Sequence, residues 1–467
     1  MSEEEDNMTI ETGERGVHVP ARADDRQAFL DDFARMSTFG ATTAGGVDRE
    51  AATDADAAQR KWLAAWLTER GFQVRFDRIG NMFGLLELVP GAPFVLAGSH
   101  MDSQPRGGRF DGAYGVLAAA HAFDRLRRLY TDPSCPTRPA YNLAVVNWFN
   151  EEGSRFTPSM QGSGVFTGKL DLADALATAD AAGVTVQDAL GAHSMLGDDV
   201  FPLDDAGRFR DDRVTAYAEI HIEQGRELDK AGVTIGVVPS TWGANKYEIG
   251  VVGWQGHTGA TPITDRQDAL YGAARIVVAL RELAETYGDE LHTSCGQLTV
   301  YPNSPVVVPR EVHMHLDLRS SSDDILAAAD RDLTRMFAEI EIAADVRIEK
   351  RFAHTWKGHD YPAGGVELAE AVVGDLGFRS MRVRTRAGHD STNMKDLVPT
   401  VMLFIPSVDG VSHAENEYTA DDDMLDGVTV LTETLARMVE GVLAGSASPG
   451  SAPPGSAPPG SASPGSD

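Results

Sequence analysis

The chain has 467 residues, and 41 basic against 70 acidic side chains leave a formal charge of −29. That balance argues against binding a phosphate backbone, which needs clustered Lys and Arg, and against anionic membrane surfaces. With 42% hydrophobic residues the sequence reads as globular, and its length asks for two or more domains.

The longest apolar runs, near 94–97 and 143–149, fall well short of the ~20 residues of a membrane-spanning helix. The opening Met-Ser-Glu-Glu-Glu-Asp has neither the cationic start nor the apolar stretch of an export signal. Cys135 and Cys295 are too few for a disulfide framework or a thiolate metal cluster, so a reduced, cytoplasmic enzyme is expected. Only seven of the basic residues are Lys. Acidic excess with scarce Lys resembles proteins of salt-loving organisms, whose surfaces stay hydrated and mutually repelling; an ordinary acidic protein is the alternative.

Strand and helix signals alternate from about residue 22. Residues 51–70 carry Trp62, Leu63, Trp66 and Leu67 at helical spacing, with Gly71 as the stop. Residues 94–98 read as a short buried strand, 116–129 as a helix and 143–149 as a second buried strand, the pattern of an α/β domain with both sheet faces covered. After Pro239 the texture changes. Strands are predicted at 246–252, 296–301 and 311–319, and helices at 266–287 and 323–342. The 311–319 segment alternates Val312, Met314, Leu316 and Leu318 with His313, His315, Asp317 and Arg319, as one wet sheet face requires. A strand at 400–405 and a helix at 424–443 complete the first domain. The expected division is 22–239 plus 355–443 for a mixed-sheet α/β domain, 240–354 for an inserted α+β domain, and 444–467 for a disordered Gly/Ser/Ala/Pro tail.

Four stretches place polar groups at strand ends, where open α/β sheets hold ligands. Gly98-Ser-His100-Met-Asp102 offers an imidazole with a carboxylate two residues on, able to fix its tautomer, although such a pair is often only structural. Asp111 sits in the glycine-rich Gly107-Gly-Arg-Phe-Asp-Gly, as a ligand or as a helix cap. Glu151 and Glu152 follow a buried strand, where adjacent acids need a cation or a proton unless they are solvated. Glu219, His221 and Glu223 share one face of a strand that could equally meet solvent. Together, two histidines and several carboxylates suit borderline divalent metals, with one carboxylate left to move a proton.

Gly-Ser-His-x-Asp-Ser, Gly-Gly-x-Phe-Asp-Gly, Glu-Glu-Gly-Ser-Arg-Phe, His-Ile-Glu-Gln-Gly and Gly-His-Thr-Gly-Ala-Thr-Pro, in that order, resemble the carbamoylase/hydantoinase-type amidases. These are two-metal aminopeptidase-like hydrolases that include N-carbamoyl-L-amino-acid hydrolases, β-ureidopropionases and allantoate amidohydrolases. The resemblance implies an aminopeptidase-like catalytic domain with a smaller inserted lid and dimerisation domain. It also implies two divalent metals per subunit, Zn²⁺ or Mn²⁺ with Co²⁺ or Ni²⁺ as options. His100, Asp111 and His221 match the ligands of one metal; Asp111, Glu152 and His413 match those of the other, with Asp111 bridging. Glu151 matches the general base. His257 matches a histidine that reaches across a homodimer interface, Arg319 the clamp on a substrate carboxylate, and Gln224 and Gly388 further substrate contacts. The expected substrate is an N-carbamoyl-L-amino acid or related ureido acid, with allantoate or, less well matched, a dipeptide as alternatives. One departure stands out. Val306 occupies the position of the family's substrate-binding Asn, and its side chain cannot donate a hydrogen bond.

Overall fold

The structure, a computed structural model, describes residue 19, residues 22–198 and residues 213–444. The expected tail beyond Ala444 lies outside these residues. Two compact units divide the chain. The first comprises residues up to Val237, Pro362–Met381 and the chain from His389; the second comprises Val238–Tyr361 and Arg382–Gly388. The short segment Arg382–Gly388, expected in the larger domain, belongs to the second unit. There Thr241 bridges Thr385, and the Arg319 guanidinium donates to the Arg386 carbonyl at 2.7 Å.

The first unit is built on strands β1 (Gln73–Phe76), β2 (Met82–Leu86), β3 (Phe94–His100), β4 (Asn142–Trp148), β5 (Val214–Ile222) and β6 (Ile235–Val237). After the second unit's β7 (Gly243–Val252), β8 (Gly256–His257), β9 (His292–Tyr301), β10 (Val307–Val308), β11 (Glu311–Ser320) and β12 (Arg347–Trp356) come β13 (Ser380–Arg382) and β14 (Thr400–Ile405). The large sheet runs β1-β2-β4-β3-β5-β14-β6-β13. Its centre is parallel from β4 through β3 and β5 to β14, while β2 and β6 pair antiparallel to it. The mixed α/β architecture expected from the sequence is therefore present.

The central strands β3 and β4 are buried almost throughout, which is why they read as short apolar runs, whereas the outer β1 alternates exposed and half-buried residues. Helix Ala113–Tyr130 packs on β3, β4, β5 and helix Asp421–Val439. On the sheet, Phe83, Leu96, Ala144, Val146, Trp148 and Tyr217 form a core with Phe166. Helix Asp54–Glu69 begins where the Thr53 hydroxyl accepts the Asp56 N–H and ends before Gly71 at φ 86°. It buries Leu63, Trp66 and Leu67, the face that the spacing predicted.

The second unit is an antiparallel sheet in the order β12-β7-β11-β9, with helices Ala269–Tyr287 and Asp323–Ala344 contributing to its core. Val312, Met314, Leu316 and Leu318 of β11 point into that core with Ile249, Val251, Ile276, Leu280 and Leu333. The alternation in β11 was legible, but β12 was not anticipated, because its Arg, Glu and Lys residues dilute the period-two pattern of an outer strand. Among the described residues no helix is long and apolar enough to cross a membrane.

Candidate metal centre

The parallel strands bring their ends to one edge of the first sheet. His100 is the last residue of β3, Glu151 and Glu152 follow β4, and His221 lies at the end of β5. His413 stands in the loop after β14, and Asp111 opens the turn into helix Ala113–Tyr130. In a parallel sheet the backbone groups at this edge have no further strand to pair with, so loops and helix starts converge there.

Two groups of donor atoms result. His100, Asp111 and His221 each offer one atom within 4.8 Å of the others, and so do Asp111, Glu152 and His413. Asp111 belongs to both and divides its oxygens between them. Its Oδ1 lies 3.5 Å from His100 Nε2 and 3.1 Å from His221 Nε2, whereas its Oδ2 lies 3.3 Å from His413 Nε2. His413 Nε2 is also 3.4 Å from Glu152 Oε2. Glu151 faces the first group, its Oε2 3.4 Å from His100 Nε2.

Hydrogen bonds set the tautomers. His100 Nδ1 donates to the Asp102 carbonyl at 3.0 Å, and His221 Nδ1 to the Ile222 carbonyl at 2.8 Å. In each ring the Nε2 lone pair therefore faces the donor group, the arrangement a metal-bound imidazole needs. The Gly112 N–H also reaches His221 Nε2, at 2.9 Å. Gly112 has φ 60° and ψ −49°, and a Cβ there would stand 2.3 Å from His100 Nε2. Only glycine fits between the two histidines.

Asp102 holds His100 chiefly through its carbonyl, with its Oδ1 3.6 Å from His100 Nδ1, and its carboxylate also accepts the Glu151 N–H at 3.2 Å and the Glu152 N–H at 3.3 Å. It thereby fixes the backbone of the paired acids, whose side chains then diverge. Three supporting residues were not singled out from the sequence. Gln104 donates to Glu152 Oε2 at 2.9 Å. Glu417 accepts the Phe110 and Asp111 N–H groups at 2.9 and 3.1 Å, and Ser412 donates to Asp111 Oδ2 at 3.0 Å. Gln104 directly follows the Gly-Ser-His-x-Asp-Ser stretch, while Ser412 and Glu417 flank His413 in the stretch that resembles the family's Ser-His-x-x-x-Glu; the residue types alone do not say what they contact. Gln224, read as a substrate contact, here donates to Asp111 Oδ2 at 2.6 Å.

The electrostatics show what the cluster lacks. Asp102, Asp111, Glu151, Glu417 and Asp390 are all buried. Burial, joined by neighbouring carboxylates, raises the proton affinity of Glu151, Glu152 and Asp390, and brings Glu417 to a pKa of about 7. Burial would lower the histidines, yet the same carboxylates outweigh it, raising His100 and His221 and taking His413 to about 10. Asp111 is held low in spite of burial, by His221, His100 and His413. A pocket that draws protons onto three imidazoles carries a surplus of negative charge, and two divalent cations would neutralise it. The donor set, imidazole nitrogens with carboxylate oxygens, fits borderline metals.

The other predicted residues, His257, Arg319 and Gly388, belong to the second unit. His257 is exposed, and its Nδ1 accepts N–H groups from Gly259 at 3.1 Å and Ala260 at 3.2 Å. Its proton is therefore on Nε2, which is left as an outward donor. Arg319 is gripped by Asp317, with Nε 3.0 Å from Oδ1 and Nη2 2.8 Å from Oδ2. Val306 is 60% exposed, so no packing role accounts for the apolar side chain there.

Residues 96–437 match the family described as peptidase family M20/M25/M40. The chain belongs to this family. It is 61% identical over 445 residues to a Mycolicibacterium smegmatis protein whose name goes no further than hydrolase, covering 95% of this chain and 100% of that one. It is 32% identical to the allantoate amidohydrolase of Bacillus subtilis, over 88% of this chain and 98% of the relative. Identity is also 32% to the N-carbamoyl-L-amino-acid amidohydrolase of Rhizobium meliloti, over 88% of this chain and 95% of the relative. Among solved structures, an amidase of the hydantoinase/carbamoylase family from Burkholderia vietnamiensis superposes with a TM-score of 0.82 at 33% identity, covering 89% of this chain and 97% of that one. Family and relatives together make the chain an amidohydrolase, an enzyme of C–N bond hydrolysis in a metal-dependent family.

Proposed function

We propose that the chain hydrolyses the linear amide C–N bond of N-carbamoyl-L-amino acids or closely related ureido acids, releasing the amino acid, carbon dioxide and ammonia. The observation that carries this reading is the pair of donor groups sharing Asp111, with Glu151 facing one of them at 3.4 Å from His100. His100, Asp111 and His221 would hold one divalent cation, and Asp111, Glu152 and His413 the other, as Zn²⁺ or Mn²⁺ or alternatively Co²⁺ or Ni²⁺. When bound, the cations supply polarisation of the ureido carbonyl and acidify a water.

The remaining chemistry belongs to side chains. Glu151 takes the proton of the attacking water and delivers it to the leaving nitrogen; burial, which raises its proton affinity, suits a group that must hold that proton briefly. Asp102 keeps Glu151 turned to this task through the backbone. The Nε2–H of His257 is a preorganised donor for the developing oxyanion, contributed by a neighbouring subunit. Arg319, oriented by Asp317, binds the substrate carboxylate. Val306 leaves that substrate one hydrogen bond short of the family's pattern, which keeps allantoate as the second reading.

A homodimer formed through the second unit goes with this proposal. β9 is an outer strand of its sheet, and Leu298 on it is 41% exposed, as are Tyr271 (50%) and Val278 (56%) on helix Ala269–Tyr287. An unpaired strand edge beside exposed apolar side chains favours pairing with a second copy.

The test is ammonia release by protein loaded in turn with Zn²⁺, Mn²⁺, Co²⁺ and Ni²⁺, in low and high salt. N-carbamoyl-L-amino acids, allantoate, N-carbamoyl-β-alanine and dipeptides are the substrates. Turnover of an N-carbamoyl-L-amino acid above the rest is expected. Preference for allantoate would select the second reading, and cleavage of dipeptides alone would overturn both.

A further inference from the structure

The chain reverses just before the paired acids. β4 ends at Trp148, and Asn150 then takes φ 51°, the left-handed region that side chains seldom enter. Its carbonyl accepts the Gln161 N–H at 3.2 Å, and the flanking Phe149 and Glu151 carbonyls accept the Gly162 and Met160 N–H groups, each at 2.8 Å. Residues 149–151 are thus laced to 160–162. Met160, bonded to Glu151, is itself left-handed, with φ 53° and ψ 36°. Backbone of this kind persists only where the surroundings hold it, and it gathers at functional sites.

The Asn150 side chain, 0% exposed, closes the turn. Its Nδ2 donates to the Phe156 carbonyl at 2.7 Å, and the Pro158 carbonyl and Gln161 Oε1 each stand 3.3 Å from it. All three neighbours are acceptors, so the position calls for N–H groups. Glycine enters the left-handed region freely but brings no amide, and an ionised aspartate tolerates it but only accepts. Asparagine meets both demands. On the other side, Asp102 accepts the Glu151 and Glu152 N–H groups. The backbone of the pair is therefore held from two directions, and the turn at Asn150 sets how the two side chains leave β4.

We propose that Asn150 is a positioning residue for the paired acids: its left-handed backbone aims Glu151 and Glu152, and its amide locks that turn to residues 156–161. This rests on the reading of Glu151 as the base and Glu152 as a metal ligand. Asn150→Gly keeps the backbone freedom and drops the amide, Asn150→Asp keeps the size and drops the donors, and Asn150→Ala loses both. The measurements are kcat and KM of the Zn²⁺-loaded full chain on its best ureido substrate, Zn²⁺ release from that chain to a competing chelator, and thermal unfolding. In Asn150→Ala, kcat should fall on the order of 100-fold while KM changes less than about threefold. Asn150→Gly should recover about tenfold of that loss, and Asn150→Asp should lose about tenfold. One Zn²⁺ should leave Asn150→Ala more readily than it leaves Asn150→Gly. Asn150→Ala equal to or better than Asn150→Gly in both kcat and Zn²⁺ retention would overturn the proposal, and so would wild-type behaviour of Asn150→Asp. The second comparison stands if Asn150→Ala fails to fold. Inactivity of the unaltered chain on every ureido substrate would instead overturn the proposed function, and Zn²⁺ release, which needs no turnover, would still decide on Asn150.

Discussion

Gly112→Ala tests the metal centre at its tightest point. The added Cβ would stand 2.3 Å from His100 Nε2, 2.4 Å from Cε1 and 2.5 Å from Cδ2, so it meets the ring face over three atoms. Normal contact requires the ring to retreat by roughly 1 Å, the scale of misplacement that costs on the order of 100-fold in rate. The backbone adds to this, because φ 60° with ψ −49° lies outside even the left-handed helical well. An alanine held there stores on the order of 1–3 kcal/mol. The ring has little room to move: it is 1% exposed, tied to the Asp102 carbonyl, and its centre lies 5.9 Å from that of His221. Metal content by plasma mass spectrometry, initial rates and thermal unfolding are the measurements. We expect a folded variant with a lowered Tm, reduced occupancy of one metal and at least 100-fold lower turnover. Wild-type metal content together with wild-type turnover would show that His100 is not held where its ligand role requires.

Three further outcomes are expected. Glu151→Gln should keep both metals and lose about 10²–10⁴-fold in turnover, since the amide cannot accept a proton; unchanged rates would remove Glu151 as the base. His257→Ala should still form the proposed homodimer by light scattering and lose about 10²–10³-fold in turnover, and an active monomer would contradict the shared-site proposal. The third concerns pH. Asp32 accepts the Trp66 indole N–H at 2.8 Å and pairs with His121 Nε2 at 3.0 Å. Burial works to raise Asp32, but these two donors outweigh it, and burial holds His121 below its usual 6.5. With both values depressed, the unfolded chain binds protons first on acidification. The stability present above pH 6.5 is then partly lost as pH falls below it, and more is lost below 3.8, the usual carboxylate value. Urea unfolding of metal-free protein should show His121→Gln flattening the upper part of that decline relative to wild type, and an unaltered slope would argue against it.

Several candidate donors stand out locally, as acids directly after a buried apolar strand or a His at a strand's last position, but each alone also has a purely structural reading, and His413 is reached only through the resemblance. Periodicity likewise revealed β11, helix Asp54–Glu69 and the mixed α/β class, because burial on one face leaves a regular trace. Other features left none. β12 has no clean alternation. The roles of Gln104, Ser412 and Glu417 depend on which backbone N–H or carboxylate lies opposite them, and residue type does not encode that.

Sequence by itself therefore placed candidate polar groups at strand ends, and the resemblance, not spacing, supplied His413 and the division of the ligands into two sets. Tertiary structure alone decided that Asp111 turns one oxygen to each donor group and that the Asp102 carboxylate accepts the backbone N–H groups of the paired acids. Such directions follow from hydrogen bonds between segments up to about three hundred residues apart, as between Asp111 and Ser412. A partner of that kind exists only once the chain has closed.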